Sequence, residues 1–182
     1  MSGDFSESLE TRRLILRVPK TGDGKIINAT VLASINELKR WWLWAKKAPT
    51  LDESEAVAIR ESKLFQNRDK LAYLIFLKGT GEHVGSISLG HFDWVNGTAD
   101  FAYFGSTRHA GNGYISESLR RLVECAFQTL GLKRLEIRTD ERNMKSRRVA
   151  ENCGFTLEKI MSTDELDPEG NPYRWCVYTR LR

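Results

Sequence analysis

A chain of 182 residues, 41% hydrophobic and 29% charged, fits a single soluble globular domain, expected over residues 9–182, and holds no run near the roughly 18 apolar residues of a membrane helix. Its 28 Lys and Arg against 24 Asp and Glu leave a net charge of +4, which suits an anionic small cofactor or an acidic protein partner and is too weak and unclustered for direct nucleic-acid binding. Cys125, Cys153 and Cys176 form no C-x-x-C pair, and the acidic start Met1 to Glu10 has no apolar run, so no disulfide framework, no metal and no membrane partner are expected and the cytoplasm is the expected location.

The predicted elements run as follows. Thr11 to Val18 reads as a first strand, with Leu14, Leu16 and Val18 on one face. Pro19 and Gly22-Asp23-Gly24 end it. Ile27, Val31, Ile35 and Leu38 recur at helical spacing, predicting a helix over Lys25 to Trp44 that Pro49 stops. Asp52, Glu53 and Glu55 then suit the first turn of a helix reaching Asn67, since acids complement the positive end of the helix dipole. Leu71 to Leu77 is a buried strand. His83 to Leu89 is its hairpin partner beyond Gly79-Thr80-Gly81, and Thr98 to Phe104 follows the Asn96-Gly97 turn. These three strands make an antiparallel meander. Gly113 to Leu130 is the strongest helix, striped with Ile115, Leu119, Leu122, Ala126 and Phe127 and stopped at Gly131. Lys133 to Thr139 is a strand and Asn143 to Asn152 a short helix. Phe155 to Ile160 and Pro172 to Leu181 are the last strands, with Ser162 to Gly170 an acidic loop between them.

The run Arg108-His109-Ala110-Gly111-Asn112-Gly113 lies between a strand and that strongest helix. Such a place binds anions, because the first turn of a helix carries unpaired backbone N–H groups and a positive dipole end. Gly111 and Gly113 lack the Cβ that would keep a phosphate away, and Arg108 adds positive charge. A pyrophosphate is the natural guest, although a bare G-x-G is also only a tight turn. The Walker pattern fails, because the loop ends Gly113-Tyr114-Ile115. The dinucleotide fingerprint fails too, at Ser116 and in the antiparallel meander that precedes the loop.

Arg108-x-x-Gly111-x-Gly113, set after Ala102-Tyr103-Phe104, resembles the acetyl-CoA motif of the GNAT N-acetyltransferases, (Gln/Arg)-x-x-Gly-x-(Gly/Ala). Asn143-x-x-Ser146-Arg147-Arg148-Val149-Ala150-Glu151, followed by Cys153-Gly154-Phe155, is similar to that family's second segment. Glu10 to Arg17 matches the opening Glu-Thr-Arg-Arg-Leu-x-Leu-Arg of its RimJ/RimL-like branch, the ribosomal-protein N-terminal acetyltransferases. The resemblance spans about Leu9 to Arg182. It implies an α+β (mixed α/β) GNAT fold. The sheet would be central, twisted and mostly antiparallel, of about seven strands flanked by helices, with the cofactor bound where the central strands splay.

The resemblance also implies roles. Backbone groups of Phe101, Ala102, Tyr103 and Phe104 would pair with the pantetheine arm of acetyl-CoA. The N–H groups of Arg108, His109, Ala110, Gly111, Asn112, Gly113 and Tyr114 would hold its pyrophosphate, and Asn143 would reach the pantetheine while serving also as a helix cap. Acetyl transfer to an amine needs a deprotonated amine, a stabilised oxyanion and a proton for the departing thiolate. The general-acid tyrosine that many family members carry falls here on Ala150, a departure from the pattern. The branch uses the serine of Asn-x-x-Ser instead, which makes Ser146 both a donor-site residue and the candidate acid. Its acidic loop residue falls on Glu165, beside Asp164, as candidate base. Trp41, Trp42 and Trp44 stand where the branch carries an acceptor segment, facing the Asp164–Tyr173 loop. Packing beneath the first long connection is the plain alternative for them. The expected acceptor is a protein N-terminus, ribosomal or other, or a small amine. A non-catalytic acyl-CoA-binding module is the alternative of another class. The protein is expected as a monomer or a homodimer.

Overall fold

The computed structural model describes residues 6–167 and 170–182, with the backbone alone at Tyr173. Met1 to Phe5 of the acidic start, and Pro168 and Glu169 of the Asp164–Tyr173 loop, lie outside the described residues. The elements follow in the order β1 (Ser8–Glu10), β2 (Leu14–Arg17), α1 (Gly24–Leu38), a short 3-10 turn (Leu43–Lys46), α2 (Leu51–Gln66), β3 (Leu71–Leu77), β4 (His83–Asp93) and β5 (Thr98–Gly105). A second 3-10 turn (Thr107–His109) precedes α3 (Tyr114–Gln128), β6 (Arg134–Asp140), α4 (Met144–Asn152), β7 (Thr156–Leu166) and β8 (Pro172–Leu181).

The strands form one sheet in the order β1-β2-β3-β4-β5-β6-β8-β7. Every neighbouring pair is antiparallel except β5 with β6. The expected mixed, mostly antiparallel sheet is therefore present, with eight strands among the described residues instead of about seven. The added strand is β1. Thr11 to Arg13 turn the chain, so that Ser8–Glu10 pairs back on β2 and the first strand shortens to Leu14–Arg17.

Strand alternation sends two sets of side chains to opposite faces. One set, with Leu14, Leu16, Tyr73, Ile75, Ile87, Phe101 and Ile137, packs under α3 through Leu119, Leu122, Val123, Ala126 and Phe127. Leu119, Leu122, Val123 and Phe127 each contribute about 1.5–3 kcal/mol by leaving water. The other set, Leu74 and Phe76, packs under α1 and α2 with Ile27, Val31, Leu38 and Ala58. α2 begins with a reciprocal cap, in which Thr50 accepts from the Glu53 N–H and the Glu53 carboxylate accepts from the Thr50 N–H.

Two boundaries differ from expectation. The helix predicted to reach Trp44 ends at Leu38, and Trp41 and Trp42 N–H both turn back to the Leu38 carbonyl. Ala45 is fully buried in the α1–α2 cluster, with Trp42 packed against it, and a straight helix would carry these residues away from that cluster. The expected acidic loop after residue 160 is largely strand, since β7 continues to Leu166. Nearly all of its side chains are exposed, so the alternation that would announce a strand is absent.

Candidate active site

β5 and β6 pair over only four positions, from Thr98–Arg134 to Phe101–Ile137. Beyond Phe101, β5 runs on to Gly105 and β6 to Asp140, and neither finds the other. A slot thus opens between two central strands, and the stretch Ala102 to Phe104 has no strand partner on that edge. On its other edge β5 stays bound to β4, and a Cβ placed on Gly85 would collide with the Phe104 carbonyl oxygen.

The slot leads to the glycine loop. Gly111 and Gly113 have φ of +83° and +75°, conformations that L side chains rarely adopt. Gly113 is the N-cap of α3, and no side chain caps the first turn. The first-turn N–H groups therefore stay available for an anion, as the loop's sequence suggests. The Arg108 guanidinium lies 2.9 Å from the Glu82 carboxylate, and the His109 ring nitrogen lies 3.4 Å from the same oxygen. Arg13 lies 4.6 Å over the Tyr114 ring and 2.7 Å from Glu117, which also accepts from the Thr11 hydroxyl. Burial alone would raise the Glu117 pKa. The bonds from Thr11 and from the Arg13 backbone and guanidinium, with the charge of Arg13, outweigh that and hold it below the usual carboxylate range.

Across the slot, beyond the end of β6, stands α4. The Asn143 side chain accepts from the Ser146 N–H at 3.1 Å, so its capping role is realised. Tyr103 reaches across from β5 and places its hydroxyl 3.1 Å from the Ser146 carbonyl oxygen and 3.2 Å from Ser146 Oγ. Burial pushes the Tyr103 phenol above its ordinary range, so it stays protonated. The rest of α4 is fixed from behind. Arg147 Nε donates to the Tyr178 hydroxyl at 3.0 Å, and that hydroxyl donates to Glu151 at 2.6 Å. Lys145 ties α4 to α1 through Glu37 at 3.1 Å.

Asn143, Ser146 and Tyr103 line a cavity of about 520 Å³ whose other walls include Trp41, Trp42, Asp100, Asp140, Glu165 and Trp175. Glu165 reaches it from β7. Arg142 holds that hairpin to the end of β6, with 2.8 Å to Asp140 and 2.7 Å to Asp167. A second cavity of about 580 Å³ lies between the sheet and α1–α2 and shares Trp42, Ala102 and Tyr103 with the first. Trp44 lines only this second one, with its ring centroid 6.2 Å from Trp42 and 6.5 Å from Phe104. The three tryptophans therefore divide between two joined lobes. Of the expected residues, the Phe101–Phe104 stretch, Asn143, Ser146, Glu165 and the tryptophans converge here, while Arg108 to Tyr114 form the loop beyond the slot. Sequence reasoning missed the Tyr103 hydroxyl and the acids Asp100 and Asp140. The Asp100 carboxylate lies 2.9 Å from His91 Nδ1. No local pattern marks any of the three.

The family profile described as an acetyltransferase (GNAT) domain matches residues 13–156. YdaF of Bacillus subtilis (strain 168), provisionally named a ribosomal N-acetyltransferase, is 27% identical over 169 residues, 93% of this chain and 91% of its own length. The ribosomal-protein-serine acetyltransferase of Escherichia coli (strain K12) is 33% identical over 84 residues, 46% of this chain and 47% of its own. Among solved structures, the ribosomal L7/L12 α-N-protein acetyltransferase RimL in complex with coenzyme A superposes with a TM-score of 0.89 at 24% identity, covering 96% of this chain and 98% of that one. The microcin C7 self-immunity acetyltransferase MccE, in complex with acetyl-CoA and AMP, gives 0.86 at 21% identity, covering 94% of each. A short parallel seam, an uncapped glycine-led helix and the matched profile agree: the chain belongs to the GNAT family of N-acetyltransferases. Like that family it is an acyltransferase, and its named relatives include ribosomal-protein acetyltransferases.

Proposed function

We propose that the protein, acting as one catalytic domain over residues 9–182, transfers the acetyl group of acetyl-CoA directly to a primary amine, with the N-terminal α-amine of a protein such as a ribosomal protein as acceptor. The observation that carries this reading is the placement of Ser146 Oγ at the open end of the β5–β6 slot, on the wall of a cavity that Glu165 also lines. The pantetheine arm would lie along Ala102 to Phe104 as an added strand. The uncapped first turn of α3 and the Gly111–Gly113 turn would hold the pyrophosphate. The thioester then arrives at Ser146.

The neutral amine attacks the thioester carbonyl carbon. A C–N bond forms and the C–S bond breaks, with its electron pair passing to sulfur. One proton leaves the nitrogen for Glu165, directly or through water. One proton reaches sulfur from the Ser146 hydroxyl, which regains it from solvent. Relatives named for ribosomal-protein substrates support a protein acceptor. A small-amine acceptor is the second reading. The apolar lobe behind Trp42, with its aromatic walls, is the observation that favours it.

Thiol release from acetyl-CoA across a panel of N-terminal peptides and small amines tests the proposal. Ser146→Ala is expected to lower turnover about a hundredfold while acetyl-CoA affinity by calorimetry stays within about twofold. Undiminished turnover in that variant removes Ser146 from the mechanism. Tight acetyl-CoA binding with no release to any acceptor favours a non-catalytic binding module.

A further inference from the structure

The side chain of Tyr103 has no part in the reading above, which uses only its backbone. Yet Tyr103 lies two residues beyond the last β5–β6 pair, on the face that Phe101 shares with α3 and α4. From there its hydroxyl spans the slot to the first turn of α4. A phenol carries a single proton to donate, and two acceptors compete for it at nearly equal distance. These are the Ser146 carbonyl oxygen at 3.1 Å and Ser146 Oγ at 3.2 Å.

The two choices leave Ser146 in different states. If Tyr103 donates to the carbonyl, the Ser146 proton can return to the phenol oxygen and points away from the cavity. If Tyr103 donates to Oγ, the Ser146 proton is released toward the cavity, where the departing sulfur needs it. The serine N–H is already committed to Asn143. The backbone at Ser146 is therefore held in the first turn of α4, and the freedom left lies in its side chain, whose hydroxyl Tyr103 contacts.

We propose that Tyr103 is a positioning residue for the acetyl transfer, aiming the Ser146 hydroxyl proton at the thioester sulfur from across the β5–β6 slot. The inference rests on the Ser146 reading above. Phenylalanine at this position keeps the ring and its packing and removes only the hydroxyl, so it separates aim from fold.

Tyr103→Phe, Ser146→Ala and the double variant are compared in the same thiol-release assay, with acetyl-CoA affinity measured by calorimetry. Tyr103→Phe is expected to lower kcat about tenfold, the loss of one hydrogen bond to a reacting group, with acetyl-CoA affinity within about twofold. The double variant is expected to match Ser146→Ala alone, because an aiming group has nothing to aim once Oγ is gone. Turnover of Tyr103→Phe within about twofold of the parent overturns the proposal. So does a loss that multiplies with that of Ser146→Ala. If Ser146→Ala keeps full turnover, the Ser146 reading fails on that variant alone, and the Tyr103 proposal falls with it.

An acceptor-free measurement serves where no amine in the panel turns over. The thiol of bound CoA is titrated by the ultraviolet absorbance of its thiolate. A hydroxyl donating to sulfur favours the thiolate, so the titration midpoint is expected to rise by about half a pH unit or more in both single variants. A midpoint that rises in Ser146→Ala and stays put in Tyr103→Phe overturns the role of Tyr103. A midpoint unmoved in both overturns the Ser146 reading.

Discussion

The two sides of the slot are built in contrasting ways. The proposed donor side is local: Arg108 to Tyr114 is one continuous loop, and α3 starts at its end. The proposed acceptor side is assembled from distant pieces, with Trp41 and Trp42 after α1, Asp140 at the end of β6 and Glu165 on β7 all meeting one cavity. The difference teaches that the chemistry of the donor is set by short-range backbone constraints. The shape of the proposed acceptor site is set by how segments far apart in the chain are brought to one cavity.

Three substitutions can break or sharpen that contrast. The largest effect is expected on the donor side. Gly113→Val forces a β-branched residue into φ +75° at the N-cap of α3. The strain, about 1–2 kcal/mol for an L-residue in that region, relaxes when the loop leaves its anion-binding shape. Acetyl-CoA should bind up to about thirtyfold more weakly by calorimetry, with a small change in Tm. An unchanged affinity would show that the loop geometry does not carry the donor.

The intermediate effect belongs to the acceptor side. Trp42 lines both lobes. Trp42→Ala should raise the acceptor KM about tenfold, as the loss of a large aromatic wall usually does, and leave acetyl-CoA affinity within about twofold. If donor affinity fell equally, the two sides would not be separable.

The smallest effect falls on the tether between the N-terminal strands and α3. Glu117→Gln weakens its bonds to Thr11 and Arg13. Arg13 is partly exposed, so solvent screening limits the loss to about 1 kcal/mol or less. The folded-state pKa of Glu117 is depressed. Its stabilisation is thus fully present above the unfolded value of about 4.3 and is lost as pH falls through the lower folded value. The Tm difference between parent and variant should therefore be largest at neutral pH and close as pH falls from about 5 toward 3. A gap that widens on acidification would mean that the carboxylate charge is not what stabilises.

This contrast also explains what could be read from the residues. Leu71–Leu77 appears as expected because a continuous apolar run bounded by turn residues has few other fates. α3 appears nearly as expected because its apolar stripe and terminal glycines are local signals. The end of α1 was misplaced because Lys39, Arg40 and Trp41 are all acceptable in a helix. Only the distant cluster around Ala45 and Phe76 decides that the helix must stop. β7 beyond Ile160 was hidden because an edge strand with both faces wet carries no alternation. Ser146 and Glu165 are singled out through family resemblance alone, and the structure brings both to one cavity. The Tyr103 hydroxyl contact spans 43 residues and leaves no trace in local spacing.

The four-rung seam between β5 and β6 has a mechanical meaning as well. It is the shortest junction among the long central strands, between a meander on one side and the β6–β8–β7 segment on the other. A donor lying in the slot as an extra strand would lengthen that junction. Cargo and reinforcement would then be the same object, and each turnover would briefly remove a beam from the frame before a new one is fitted.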